Sequence, residues 1–192
     1  DLHYPLPRQR QMCIRDSNTT ADQIVFQANR SEIKAVKSAE GITLTLPKDN
    51  PQKIEDIDSF SDALNAKVLE VYRGIDDFVA ILEDEEAVAN NNPNFSQIKH
   101  MDSRGLIVTA KGSEVDFVSR WYGPQTGIDE DPVTGSAHAL LATYWSGIFN
   151  KNDLSAKQLS KRGGLLHCSV KEEKVDITGQ AALYLRGTLQ LN

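Results

Sequence analysis

The sequence is short of most features that announce a function. Cysteine occurs twice, at Cys13 and Cys168, too few for a disulfide framework or a cysteine metal cluster. A reducing cytoplasm is therefore the expected compartment. No apolar run approaches the ~20 residues that span a bilayer, and the polar start lacks the apolar stretch of a signal peptide. G-x-G-x-x-G, the P-loop and C-x-x-C are all missing, so nucleotide, flavin and zinc chemistry have no support. Positive charge is outnumbered, with 21 Lys and Arg against 27 Asp and Glu and a net charge of −6. Such a balance is unsuited to gripping phosphate backbones. Neither a membrane nor a nucleic acid is an expected partner.

What remains is ordinary for a water-facing globular chain: 192 residues, 40% hydrophobic and 25% charged, enough for one full domain or two small ones. Alternation of period two marks strands around Ile24–Phe26 and Ile42–Leu46, with Ala39-Glu40-Gly41 as a turn and Pro47 and Asn50-Pro51 as stops. Phe60, Leu64 and Val68 share one helical face, which predicts a helix over Asp58–Val71, with Ser59 or Ser61 as its cap. Further strands are expected at Phe78–Leu82, Gly105–Ala110, Val115–Trp121, Leu165–Val170 and Val175–Thr178. The acidic run Glu83–Glu86 reads as a solvated turn, Phe95–His100 as a short helix and Ser155–Ser160 as a short turn or helix. Short strands with hairpin turns and two principal helices imply an antiparallel α+β fold.

The most informative stretch is I-D-E-D-P-V-T-G-S-A-H-A-L-L-A-T-Y-W-S-G-I-F, Ile128 to Phe149. Three carboxylates (Asp129, Glu130, Asp131) precede a proline, and a Gly-Ser pair opens a helix. No Asp, Glu, Lys or Arg occurs from Ala137 to Phe149, which predicts a helix buried on all sides. The start of such a helix offers unpaired N–H groups and partial positive charge, a setting that suits an anion. Pro132 biases Asp131 toward extended geometry, aiming its carboxylate either at a ligand or at the helix's own N–H groups. Gly135 permits a close backbone approach or a strained turn. Ser136 reads as a ligand donor or an N-cap, Thr134 as a second possible cap, and His138 as a hydrogen-bonded structural histidine. Arg120 is a candidate to neutralise the acidic cluster.

E-D-P-V-T-G-S-A-H with A-L-L-A-T-Y-W resembles the signature of the phenazine biosynthesis PhzF-like family. Q-L-S-K-R-G-G (Gln158–Gly164) and V-D-I-T-G-Q-A (Val175–Ala181) fit its continuation. Y-R-G-I-D-D-F-V-A-I-L (Tyr72–Leu82) and G-L-I-V-T-A (Gly105–Ala110) fit more loosely. The resemblance runs from about Ile24 onward. It implies a diaminopimelate-epimerase-like fold, in which each of two similar domains wraps antiparallel strands around a central helix. It also implies a cofactor-independent isomerase acting on a small carboxylate-bearing metabolite, and a homodimer when intact. The family's known reaction isomerises a dihydro-hydroxyanthranilate on the route to phenazines. In this light Asp131 becomes the catalytic residue, Gly135 and Ser136 bind substrate, and no metal or organic cofactor is expected. The family's proton-moving glutamate and its Gly-His pair, both in the first domain, have no match in this sequence.

The expected organisation follows. Residues 1–17 fit no hydrophobic period, and Pro7–Ser17 resembles a translated sequencing-adapter read-through; a natural basic arm is the other reading. Residues 18–50 are expected to be the remnant of an N-terminal domain, 51–181 the C-terminal PhzF-like domain and 182–192 a closing strand. On this reading the chain is an inactive fragment of the enzyme. The alternative is a non-catalytic domain that binds small molecules or associates with itself.

Overall fold

Three hydrophobic strands, two-faced in their burial, divide the fold into its two cores. In the computed structural model, which describes residues 23–27, 32–182, 184, 185 and 187, these are β6 (Asp77–Leu82), β7 (Gly105–Lys111) and β8 (Phe117–Gly123). Successive side chains point to opposite sides of a strand. Val79, Ile81, Ile107, Phe117 and Trp121 therefore enter one core, while Ala80, Leu82, Leu106, Val108, Val118 and Tyr122 enter the other.

The remaining strands are β1 (Gln23–Gln27), β2 (Glu32–Ser38), β3 (Gly41–Pro47), β4 (Gln52–Ile54), β5 (Val68–Arg73), β9 (Ile128–Glu130), β10 (Asp153–Gln158), β11 (Gly164–Val170) and β12 (Lys174–Gly179). They join one sheet in the order β1-β2-β3-β12-β11-β10-β8-β7-β6-β5-β4, with β9 beside β8. The strands read from residues 24–46 thus continue the main sheet, because β3 pairs antiparallel with β12 from Ile42↔Gly179 to Pro47↔Lys174.

The antiparallel expectation holds along most of the sheet, with two exceptions: β6–β7 and β8–β10 are parallel. Both connections carry helices, and a parallel neighbour needs such a crossover. Between β6 and β7 lie α2 (Glu85–Ala89) and α3 (Phe95–Lys99); between β8 and β10 lies α4 (Gly135–Phe149). The acidic run is accordingly the start of a helix rather than a plain turn. Asp84 caps α2 by accepting from the Ala87 amide at 2.8 Å, and Glu85 and Glu86 occupy its favourable first turn.

Two more expectations need correction. The helix predicted over Asp58–Val71 ends early, as α1 (Asp58–Leu64), and Val68–Arg73 is strand. Asn65 adopts the left-handed conformation (φ 48°, ψ 38°), which terminates the helix. Neither serine caps it; Asp56 Oδ1 accepts from the Ser59 amide instead. Ser155–Ser160 is not helical: Asp153–Gln158 is a strand whose buried residues are Leu154, Ala156 and Gln158.

Helix α4 packs on β3, β10, β11 and β12. Ala137 to Ala142 and Trp145 are buried, but the last turn emerges, with Gly147 and Ile148 exposed. Burial on all sides therefore holds for the front of the helix only. No helix among the described residues is long and apolar enough to cross a membrane. Residues 1–17 and most of 182–192 lie outside the described residues.

Candidate active site

The turn between β9 and α4 is built on the end of β8. The Asp131 amide donates to Trp121 O at 3.1 Å, fixing where the chain leaves the sheet. Pro132 then directs it toward the helix. The buried Gln158, on β10, closes the turn with both ends of its amide: Nε2 donates to Asp131 O at 2.6 Å, and Oε1 accepts from the Thr134 amide at 2.7 Å. A fully desolvated amide satisfied on both sides is rigid as well as stabilising. Ser160 adds a third tie, its hydroxyl donating to Pro132 O at 2.6 Å.

Asp131 is only 6% exposed. Its Oδ2 accepts a short hydrogen bond from Thr134 Oγ1, which orients the carboxylate at the mouth of α4. Thr134 is the N-cap residue by position but makes no side-chain cap bond, its hydroxyl being turned to Asp131. Gly135 and Ser136 follow as the first two residues of the helix, where no earlier turn supplies acceptors for their N–H groups. Gly135 does not have a positive φ. A Cβ there would meet only Leu44 Cδ1, at 3.9 Å. The strained-turn reading therefore fails, while the open approach that glycine leaves in front of the helix is present. Ser136 is exposed and is not the N-cap.

The structure thus brings Asp131, Gly135 and Ser136 to one place and adds a residue that sequence reasoning missed. Arg104 Nη1 donates to Ser136 Oγ at 2.9 Å, while Nε reaches Asp77 Oδ1 at 3.0 Å and Nη2 reaches Asp77 Oδ2. Burial opposes the Arg104 charge, but hydrogen bonds to Asp77 and the charges of Asp77, Asp76 and Asp131 push its pKa above the ordinary arginine value. The signal for it lay in pairing: in the parallel β6–β7 register Asp77 stands opposite Gly105, so Arg104 enters beside Asp77. Asp49 completes the cluster. Burial raises its pKa against the Ile75 amide that it accepts, with Asp76 and Asp77 adding repulsion.

The other candidates fall outside this contact set. Arg120 pairs with Glu130, Nε to Oε1 at 2.7 Å and Nη2 to Oε2 at 3.1 Å, and also binds the carbonyls of Ala89 and Asn91. It neutralises one acid of the cluster and ties β9 to the loop after α2. His138 is fully buried, with Nδ1 donating to Thr134 O at 2.8 Å; burial pulls its pKa down to about 4. It is neutral and structural. An open cleft of about 470 Å³ lies beside the turn, lined by Glu130, Pro132, Ser160, Lys161 and Arg162. Its lining includes neither Gly135 nor Ser136. The buried Cys168 thiol, its pKa pushed up to about 12 by desolvation, is an inert core group.

Residues 23–187 match the family described as phenazine biosynthesis-like protein. The chain belongs to that family. An uncharacterized isomerase of Pseudomonas aeruginosa is 40% identical over 166 residues, covering 86% of this chain and 64% of the relative. A second isomerase of the same organism is 37% identical over 171 residues, covering 89% and 66%. The chain therefore spans about two-thirds of the length of these relatives. A crystal structure of a PhzF-family phenazine biosynthesis protein from Enterococcus faecalis superposes with a TM-score of 0.86 at 39% identity, over 96% of this chain and 71% of that one. The α+β, diaminopimelate-epimerase-like fold expected from the E-D-P-V-T-G-S-A-H stretch is thus the fold of the chain.

Proposed function

We propose that the whole protein is a cofactor-independent isomerase that moves a proton on a small carboxylate-bearing metabolite. The observation that carries this reading is the Asp131 carboxylate, oriented by Thr134 just before α4, whose second residue is the exposed Ser136. Asp131 is assigned the catalytic role, holding the substrate and assisting the proton. The Gly135 and Ser136 amides and the Ser136 hydroxyl receive the substrate's carboxylate, aided by the positive end of the helix. The isomerase names of the relatives favour this over the reading as a non-catalytic binding or self-associating domain. As parts of the same proposal, residues 18–50 end a first domain and 51–181 form the second, the intact protein is a cytoplasmic homodimer, and these 192 residues alone are inactive.

The test is proton–deuterium exchange into candidate carboxylates by the whole protein and its Asp131→Asn variant. A positioned acid–base group contributes ~10²–10⁴-fold, and the variant is expected to lose activity on that scale. Equal rates would remove Asp131 from the mechanism.

A further inference from the structure

We infer that Arg104 is a positioning residue for the substrate carboxylate, acting through the Ser136 hydroxyl. This rests on the helix-mouth reading and adds to it a residue 32 positions upstream of Ser136, outside the motif.

The guanidinium is held from behind. Nε and Nη2 form a two-pronged pair with Asp77, which is 3% exposed and sits at the start of β6. The Arg104 amide donates to Asp76 O at 2.7 Å, so backbone and side chain are anchored to the same strand end. A bidentate pair of this kind fixes a plane as well as a distance. It aims the remaining edge, through Nη1, at Ser136 Oγ.

The consequence follows from the hydroxyl's inventory of one donor and two acceptor sites. With a cation donating to Ser136 Oγ, the hydroxyl proton is directed away from Arg104. A carboxylate reaching the start of α4 then meets an O–H already turned outward, beside the Gly135 and Ser136 amides. A serine at this position without such a neighbour could equally present a lone pair to the anion. Charge works in the same direction. Asp49, Asp76, Asp77 and Asp131 surround Arg104 and would repel an anionic ligand, and the guanidinium offsets them. Its side chain is 33% exposed, so that charge reaches the mouth instead of being sealed beneath it. Lysine carries the charge but lacks the fork.

The experiment titrates the full 192-residue chain with benzoate and follows the amide NMR signals of Gly135, Ser136 and Ala137. The proteins compared are the wild type, Arg104→Lys, Arg104→Gln, Ser136→Ala and the Arg104→Gln/Ser136→Ala pair. Both single Arg104 variants are expected to weaken benzoate about fivefold, the net scale of one ordinary hydrogen bond. In the Ser136→Ala background, removing Arg104 should change affinity less than about twofold, because the group it acts through is gone. A purely structural or long-range role would lower affinity equally in both backgrounds, and that additivity would overturn the inference. So would an Arg104→Lys protein that binds as the wild type does. Should Arg104→Gln fail to fold, Asp77→Asn keeps the cation while releasing its fork, and unchanged benzoate affinity there would be equally fatal. Wild-type amides that do not respond to benzoate would overturn the helix-mouth reading itself, a result separable from all of these.

Discussion

His138 shows most directly how one residue's surroundings set its chemistry. It lies one turn into α4 with its Nδ1–H on Thr134 O, and burial holds its pKa near 4 against 6.5 for an ordinary histidine. Between those values the unfolded chain binds a proton that the folded chain refuses, so stability falls as pH is lowered from about 6.5 toward 4. The limiting slope is about 1.4 kcal/mol per pH unit. Urea unfolding at several pH values should show this slope for the wild type. A His138→Gln variant, destabilised at neutral pH, should be flatter across the same window; parallel curves would show that other groups govern it. At this scale the sequence was partly legible. That Asp131, Gly135 and Ser136 stand at the start of a helix, and that His138 is a hydrogen-bonded histidine, could be read from one continuous stretch, because that turn and helix are local. Arg104 could not, since its partners Asp77 and Ser136 come from positions 27 and 32 residues away.

At the scale of elements, legibility followed the purity of the hydrophobic pattern. Helix α4 was unmistakable because it has no charged side chain, and its burial explains why. Leu141 is completely buried, whereas Ile148 is 58% exposed on the emerging last turn. Leu141→Ala should therefore cost ~2–5 kcal/mol through lost transfer energy and a cavity, with Ile148→Ala within about 0.5 kcal/mol of neutral. Comparable losses from both in denaturant unfolding would mean that α4 does not pack as described. Strand β10 was misread because its third inward residue is Gln158, a polar side chain where the period-two pattern needs an apolar one. That departure is itself informative, since Gln158 faces inward to clamp the Asp131–Thr134 turn. The over-long helix at Asp58–Val71 failed for a different reason. Phe60, Leu64 and Val68 do fall at helical spacing, but a left-handed Asn65 breaks the chain between them, and Val68 is buried from a strand.

For the molecule as a whole, the parallel pairs β6–β7 and β8–β10 escaped the sequence because strand neighbours are set by long crossovers, not by local pattern. These crossovers deliver the site: one brings Arg104 beside Asp77, the other places α4 with its mouth next to Asp131. On the function proposed above, this arrangement is one wall of the site. In the resembling family the reaction takes place between two such walls, and the glutamate and Gly-His pair of the other have no match in these 192 residues. General acid–base catalysis is worth ~10²–10⁴-fold for each positioned group, and a mouth open to water weakens the electrostatic help the remaining groups supply. The sheet's β1–β3 end also leaves Val25 exposed and Ile24, Phe26, Val36 and Ile42 only half-buried, surface that favours association. The 192-residue chain, assayed by itself, is therefore expected to give no proton–deuterium exchange into candidate carboxylates above the uncatalysed rate. On the function proposed above, the whole protein is expected to give readily measurable exchange under the same conditions. Turnover by the 192-residue chain that is lost on Asp131→Asn would show that a single wall suffices and that the proton is moved from the α4 side alone.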